Sequence, residues 1–350
     1  MRIFDYSFLE NEPIPSNIAS MLFAIERNRN SANALKEKLP KVFINLVKIA
    51  KVQSVKASNA IEGIVTTDKR IESIVNKETE PLNHDEREIA GYRDALNRIH
   101  NDYGTIDVQL RQILLLHSML LEHAQTPTRG SLKLEDNVIA SRNPDGTRSI
   151  VYVPTPASET QEAMEQLELA FYEGRQNSNI NPLLLIPCYI LDFLCIHPFI
   201  DGNGRMSRLL TLLLLYKAGY DVGKYVSLEY IINKNKGSYY QKLHESSAGW
   251  IENKNSYWPF VENFLLTLLS AYNEWTNRYE IIKDKKLSKA ERVEETIKAT
   301  LGCITKEEIH KIWPDISYNT IELELSNLLK ERKIEKVGQT NGATYHWING

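Results

Sequence analysis

The side chains with the clearest chemical potential lie in one short stretch, residues 196–208, between two apolar runs. It holds one histidine, one carboxylate, one asparagine, two glycines and two arginines: His197, Asp201, Asn203, Gly202, Gly204, Arg205 and Arg208. The flanking runs, 182–195 and 209–216, are almost wholly apolar, which predicts two buried helices. The stretch therefore predicts a site on a loop that joins these helices.

The residue types in this loop suit phosphate chemistry. A residue before proline avoids the α conformation, so the first helix should end near His197. Gly202 and Gly204 permit positive φ and close approach of the backbone to a ligand. The N-terminus of the following helix offers free N–H groups and a favourable dipole to an anion. Together these features predict a cradle for a phosphate group.

The charged side chains complete this set. Asp201 is an oxygen ligand of the kind that Mg²⁺ takes when it also holds substrate phosphates. Arg205 and Arg208 are three residues apart and share a helix face, which predicts that they clamp one anion together. His197 can act as a general base near neutral pH. The loop is therefore predicted to act on a Mg²⁺–nucleotide.

The same stretch resembles the signature of the Fic family, His-Pro-Phe-x-x-Gly-Asn-Gly-Arg-x-x-Arg, at every specified position. The resemblance implies transfer of AMP from ATP to a Ser, Thr or Tyr hydroxyl of a protein, with Mg²⁺. It implies that His197 is the base, that Asp201 carries the metal and that Arg208 takes the γ-phosphate. The rest of the implied nucleotide-binding loop is Gly202, Asn203, Gly204, Arg205, Met206 and Ser207.

An inhibitory segment is indicated upstream of this loop. A predicted helix ends near Gly63, a plausible residue after a helix C-terminus. Glu62 is then oddly placed beside the negative end of the helix dipole and would suit an arginine partner. Ser58, Glu62 and Gly63 resemble the inhibitory motif of the Fic family, Ser/Thr-x-x-x-Glu-Gly/Asn. The resemblance implies that Glu62 pairs with Arg208 and misaligns the triphosphate.

A β-hairpin is predicted between residues 126 and 156. The turn signal 143–146 lies between two short β-rich runs, 137–139 and 149–153. The resemblance identifies the hairpin as the Fic flap, which registers a target peptide, and an exposed edge could bind an extended segment by strand addition. Many family members carry a glycine pair where this chain has Ala140 and Ser141. The predicted flap contacts to the nucleotide are Val138, Ile139, Ala140 and Ser141.

Two aromatic residues form the last predicted part of the site. Tyr239 and Tyr240 resemble a Tyr-Tyr-x-x-Leu segment that lies beside the adenine in the family. Aromatic rings can stack on a purine, but the two rings can equally pack on the core.

The fold class expected from this pattern is mainly α, with a Fic-type helical core, a β-hairpin flap and a small C-terminal winged-helix domain. The predicted parts are an N-terminal helical region with the inhibitory helix (1–83), a catalytic core (84–280), and a linker with a winged-helix-like domain (281–350). Capping boxes are predicted at Ser158, Ser288 and Thr305, each followed by Gln or Glu three residues later.

Composition places the chain among ordinary globular proteins. It has 350 residues, is 42% hydrophobic and 25% charged, and carries a net charge of −3. No apolar run reaches the roughly 18 residues of a membrane span, and no secretory leader is evident. The three cysteines suit a reducing cytoplasm, because Cys188 and Cys195 are too far apart along one predicted helix for a disulfide.

The partners are predicted from charge and resemblance. Residues 287–350 carry nine Lys/Arg and ten Asp/Glu, so the C-terminal domain lacks the basic footprint of a DNA reader. A protein-binding or dimerisation role is favoured there, and the resemblance leaves a homodimer open. The expected partner is a target protein with an acceptor hydroxyl, which includes the chain itself. Two alternatives remain: a de-AMPylase that uses the same site, and a DNA-binding regulator with a Fic core.

Overall fold

A computed structural model describes residues 2–36, 40–124, 126–142, 147–283, 287–300, 303–338 and 343–348. The fold of these residues is mainly α, which confirms the predicted class. The first helices are α1 (Phe8–Asn11), α2 (Ser16–Lys36), α3 (Pro40–Ile61), α4 (Asp68–Val75), α5 (His84–Asp102) and α6 (Leu110–Leu120). A hairpin follows, with β1 (Ile139–Arg142) antiparallel to β2 (Arg148–Tyr152). The predicted turn, 143–146, lies outside the described residues.

The second half of the helical core begins with α7 (Ala157–Gln176) and α8 (Pro182–Ile196). It continues with α9 (Asn203–Lys217), α10 (Leu228–Lys234), α11 (Lys236–Ser247) and α12 (Trp258–Lys283). The C-terminal part contains α13 (Lys289–Ala299), β3 (Ile304–Thr305), α14 (Lys306–Ile312), α15 (Tyr318–Lys330), β4 (Ile334–Val337) and β5 (Thr344–Trp347).

The helix α8 is the centre of the core. Every residue from Leu183 to Ile196 is buried, as expected for a helix that is apolar on all sides. Asn181 caps its N-terminus by accepting a hydrogen bond from the Leu183 N–H at 2.9 Å. The helices α7, α9 and α12 pack around α8. The loop that follows α8 is therefore anchored to a fully buried helix.

The helix α3 ends where the sequence predicts. Gly63 has φ +83°, a conformation that glycine adopts without strain. Its N–H bonds the Ala60 carbonyl at 3.1 Å, and the Ile64 N–H bonds the Asn59 carbonyl at 3.0 Å. These bonds satisfy carbonyls at the helix C-terminus. Glu62 consequently projects from a turn of fixed geometry.

The C-terminal part contains the predicted helices and hairpin. Capping boxes form at Ser288 and Thr305, as expected. The strands β3, β5 and β4 form one antiparallel sheet in that order. The helix α14 packs on α3, and Lys311 Nζ lies 2.5 Å from Glu72 Oε1 in α4. This part of the chain thus rests against the segment that carries Glu62.

One local expectation is wrong. The N-cap of α7 is Pro156, with no side-chain cap, so the capping box at Ser158 does not form. Asp136, distant in sequence, accepts the Ala157 N–H at 2.7 Å instead. The helix α12 continues to Lys283, three residues beyond the predicted division at 280, and that division stays a prediction. Among the described residues, no helix is long and apolar enough to cross a bilayer, and Cys188, Cys195 and Cys303 are free thiols.

Candidate active site

His197 stands at the C-terminal end of α8 in a left-handed conformation, with φ 52° and ψ 61°. Pro198 follows it, and the helix ends there as predicted. The backbone N–H of His197 donates to the Phe193 carbonyl at 3.0 Å. The ring Nδ1 lies 3.4 Å from the Leu194 carbonyl. Because a carbonyl only accepts, this contact assigns the proton of the neutral ring to Nδ1 and leaves Nε2 as a base.

The electrostatics of His197 favour the neutral ring. Its pKa is lowered to about 4, mainly by burial and in addition by the ammonium of Lys133, while the hydrogen bond to Leu194 opposes the shift. The carboxylates of Glu62 and Asp201 act in the opposite direction. At neutral pH the ring is therefore able to accept a proton.

Asp201 presents an exposed carboxylate at the entrance of α9. One oxygen accepts the Gly202 N–H at 2.6 Å, and the other lies 3.1 Å from Arg205 Nη2. The side chain is 57% exposed, so lone pairs remain available to a ligand. Among the described residues, no three His, Cys, Asp or Glu side chains are grouped to hold a metal. One accessible carboxylate fits a Mg²⁺ ion that is held mainly by substrate phosphates.

Asn203 and Gly202 fix the shape of the loop. Gly202 has φ +84° and precedes α9 without a side-chain cap. The buried Asn203 side chain accepts the Phe199 N–H at 3.0 Å and donates to the Phe199 carbonyl at 2.7 Å. Its amide is thus used within the loop, so a phosphate would meet the backbone N–H groups at the start of α9.

The two arginines of the loop pair with different carboxylates, and their predicted joint hold on one anion stays a prediction. Arg205 is almost fully buried and pairs with Glu88 of α5 and with Asp201. Arg208 is also buried and pairs with Glu62, at 2.7 Å between Nη2 and Oε1. Although both arginines belong to α9, each guanidinium pairs with a carboxylate from a different segment, Glu88 of α5 and Glu62 at the end of α3.

The predicted contact between Glu62 and Arg208 is present, and Ser58 supports it. Arg208 Nε donates to Ser58 Oγ at 2.8 Å, and Nη2 donates to the Ser58 carbonyl at 2.9 Å. Burial, the largest single effect, would lower the pKa of Arg208, but the charge and hydrogen bond of Glu62 together with Tyr92 and Tyr239 outweigh it and the pKa is raised. The guanidinium is therefore fully charged and held by α3.

The Glu62 carboxylate lies over the start of α9. A Cβ built on Gly204 would overlap Glu62 Oε1 and lie 3.3 Å from Arg208 Nη1. The space beside Gly204 is thus filled by a carboxylate, at the end of a helix that attracts anions. This is the position in which the sequence predicts a phosphate.

The remaining predicted residues lie around this centre with different exposure. Met206 is fully buried, and its N–H donates to the Gly202 carbonyl at 2.8 Å, so its side chain packs in the core while its predicted contact to the nucleotide stays a prediction. Ser207 Oγ donates to the Gly204 carbonyl at 2.8 Å. Tyr239 is buried and packs edge-on to Phe260, whereas Tyr240 is 41% exposed.

The flap residues lie beside the loop. Ile139 and Ala140 belong to β1, and Val138 before them is 54% exposed. The backbone of Ser141 also belongs to β1, but its side chain lies outside what the structure describes. The structure places these residues on the hairpin without showing a ligand contact.

Sequence reasoning missed Glu88 and Lys133 and undervalued His117. Glu88 lies on the face of α5 that also buries Tyr92 and Ala95, so a charge on an apolar face was the available signal. The leucine-rich stretch around His117 predicts a core or near-surface histidine and not a ligand. His117 is buried, but its Nε2 lies 3.0 Å from the Asp201 carbonyl and its ring stacks on Phe199. It therefore supports the loop directly.

Part of the chain is similar in sequence to a known protein family. The Fic/DOC family model matches residues 107–215. A protein adenylyltransferase Fic from Drosophila yakuba is 30% identical over 115 residues, which are 33% of this chain and 21% of that protein. The Drosophila melanogaster protein of the same name is 29% identical over 115 residues. The chain spans about a fifth of the length of these relatives.

Solved structures show the same fold. A Fic family protein from Desulfovibrio desulfuricans G20 has a TM-score of 0.61 and 20% identity, and the match covers 97% of this chain and 98% of that one. A Fic domain containing signaling protein from Bacteroides thetaiotaomicron VPI-5482 has a TM-score of 0.59 and 20% identity over 74% of this chain and 96% of that one. The similarity therefore extends well beyond residues 107–215.

Proposed function

We propose that this chain, whose residues 107–215 match the Fic/DOC family model and whose fold resembles that of a Fic family protein, is a protein adenylyltransferase that transfers AMP from ATP to a Ser, Thr or Tyr hydroxyl of a protein. One observation carries the proposal: His197, whose Nδ1 faces the Leu194 carbonyl and so leaves Nε2 as the base, and the uncapped N-terminus of α9 belong to the same short loop. A base and an anion site in one loop suit the attack of a hydroxyl on a phosphate.

In the proposed reaction, the residues of the loop account for every bond and proton that moves. The acceptor oxygen forms a bond to the α-phosphorus while His197 Nε2 takes its proton, and the bond to the β-phosphate oxygen breaks to release pyrophosphate. The N–H groups at the start of α9 stabilise the charge on the phosphates, and Arg208 takes the γ-phosphate. Charge stabilisation is usually the larger contribution in such a site, and a general base adds about 10²- to 10⁴-fold.

Asp201 would hold Mg²⁺ together with the phosphates, and the bound ion would neutralise their charge. Its exposed carboxylate supports this role. Arg205 would act indirectly, because its ion pairs with Glu88 and Asp201 fix the orientation of the Asp201 carboxylate.

The same site is proposed to be autoinhibited by Glu62. The carboxylate occupies the space beside Gly204 and holds Arg208. ATP can then bind only with its γ-phosphate displaced, so the α-phosphorus is not aligned with the acceptor. A small misalignment removes a large part of the rate advantage of proximity. That advantage lowers the activation barrier by several kcal/mol, and by about 7–11 kcal/mol at its limit.

Labelling with ATP that carries a radioactive α-phosphate tests this function. We expect weak self-labelling by the wild type and at least about tenfold more by Glu62→Gly, because alignment is restored. Adding His197→Ala to that variant should abolish labelling while ATP binding persists. Glu252→Gly, an exposed acid in another turn, serves as the matched control. Unchanged labelling in Glu62→Gly, or full labelling without His197, would contradict the proposal.

The reverse reaction is the second candidate, because Glu62 is 31% exposed and its charge acts on His197. A carboxylate in that place could orient a water molecule toward an AMP–protein bond. AMP release from a modified target by the wild type, lost in Glu62→Gly, would favour this direction. The target protein itself is left open, and the chain can be its own acceptor.

A further inference from the structure

We propose that Lys133, supported by Asn137, is the positioning residue for His197 and joins the flap to the base. The inference rests on the proposed function, in which His197 is the base. It concerns a residue of the segment that enters the flap, outside the signature loop. Its basis is a set of hydrogen bonds that converge on the backbone on both sides of His197.

Lys133 and Asn137 bond three carbonyls on the two sides of the base, those of Ile196, Pro198 and Phe199. Lys133 Nζ donates to the Ile196 carbonyl at 3.2 Å, and its backbone N–H donates to the Pro198 carbonyl at 2.9 Å. Asn137 Nδ2 donates to the Phe199 carbonyl at 3.0 Å. Lys133 Nζ also donates to Asn137 Oδ1 at 2.9 Å, so the two side chains act as one unit.

His197 needs this support because its backbone is strained. A residue with a side chain at φ 52° costs about 1–3 kcal/mol and persists only where its surroundings fix it. The carbonyls at the end of α8 also lack partners within the helix. The contacts from Lys133 and Asn137 meet both needs, since they satisfy these carbonyls and hold the turn in place.

The C-terminal end of α8 gives the Lys133 ammonium a favourable position. Lys133 is only 2% exposed, and both of its described side-chain acceptors are neutral oxygens. Burial lowers its pKa to about 8, with Asp136 opposing the shift, so it is still mostly charged at pH 7. The negative end of the α8 dipole makes a cation favourable there. A buried charge kept beside His197 then favours the neutral ring that a base requires.

The segment also connects the flap to the base. Residues 133–137 lead directly into β1, which starts at Ile139. A target that binds along the hairpin would therefore act on the same segment that holds His197. The base and the surface proposed to receive the acceptor are thus positioned together.

The test compares Lys133→Met with Lys133→Arg, each combined with Glu62→Gly, in the full chain. We expect Lys133→Met to lower kcat for self-labelling about tenfold or more with the KM for ATP within about twofold, because positioning and not binding is lost. Lys133→Arg should recover most of kcat, since charge and donors are kept. Lys330→Met, an exposed lysine in α15, is the matched control. A rise in KM with unchanged kcat would overturn the inference, because Lys133 would then bind ATP.

A second readout does not need activity. The pKa of the His197 ring, followed by NMR and assigned by comparison with His197→Gln, should rise in Lys133→Met and stay low in Lys133→Arg. An unchanged ring pKa in Lys133→Met would overturn the inference even if labelling fell. If no variant transfers AMP, the function is refuted while this titration still decides the role of Lys133.

Asn137→Ala covers the case in which Lys133→Met does not fold. It removes the bond to the Phe199 carbonyl and keeps the ammonium. We expect about a three- to tenfold loss of kcat with an unchanged KM, and an unchanged kcat would count against the shared role of the two side chains.

Discussion

Removing the Glu62 carboxylate should make the protein less stable without nucleotide and tighten its binding of ATP. The argument starts from Arg208, whose side chain is 3% exposed. Its described hydrogen-bond acceptors are the Glu62 carboxylate at 2.7 Å and two oxygens of Ser58 at 2.8 and 2.9 Å. Glu62→Gly leaves a buried guanidinium with neutral partners.

The magnitude follows from the burial of the pair. Breaking a fully buried ion pair costs about 3–5 kcal/mol. Glu62 is 31% exposed and both bonds to Ser58 remain, so we expect about 1–2 kcal/mol. At about 2–4 °C per kcal/mol for a large domain, Tm should fall by roughly 2–8 °C.

The free energy lost by removing the Glu62–Arg208 ion pair should appear as a gain in the affinity for ATP. In the wild type the triphosphate must displace the carboxylate from Arg208, whereas in Glu62→Gly it meets an unpaired guanidinium. Since 1.4 kcal/mol is a tenfold change, Kd should fall about 5- to 30-fold. Calorimetry with ATP and Mg²⁺ in a His197→Ala background would measure binding without turnover, with Glu252→Gly as control. An equal or weaker affinity in Glu62→Gly would refute the idea that Glu62 competes with the triphosphate.

Three further predictions concern the residues around this pair. Glu88→Gln should lower the free energy of unfolding by about 2–4 kcal/mol and reduce labelling, because buried Arg205 loses a carboxylate; thermal scans and labelling check both. Gly204→Ala in the Glu62→Gly background should weaken ATP binding about tenfold or more in calorimetry, because its Cβ would fill the space proposed for a phosphate. Burial lowers the pKa of His117 to about 4, so the unfolded chain binds its proton first. Protonation of His117 alone should therefore lower the free energy of unfolding by up to about 3 kcal/mol between pH 6.5 and 4, and urea unfolding should show a smaller pH dependence in His117→Gln.

The sequence was most informative where the signal is local. The loop 196–208 was located by its own residues, and its frame followed from two apolar runs that form α8 and α9. The helix end before Gly63 followed from the backbone freedom of glycine. These features depend on neighbours within a few residues, which is why pattern and turn chemistry suffice for them.

Contacts between distant segments could not be read in this way. The carboxylate of Glu88 meets Arg205 across 117 positions of the chain, and the contacts of Lys133 depend on the fold of the flap. The expected capping box at Ser158 failed for the same reason, because Asp136 supplies the acceptor. The winged-helix assignment and the division at residues 83 and 280 stay predictions. A burial pattern can show that a charge is unusual, but only the fold shows its partner.

The two arginines of the loop differ in a way that explains why inhibition would act on one of them. Arg205 is held by Glu88, a buried residue of a core helix, so withdrawing that carboxylate would strand two buried charges. Arg208 is held by Glu62, which projects from the end of α3 and remains partly exposed. A carboxylate that leaves for solvent recovers its hydration, so its departure costs far less. A switch needs a partner that can leave at a cost comparable to the affinity of a ligand, and among the described pairs of this loop, that of Arg208 and Glu62 meets the condition.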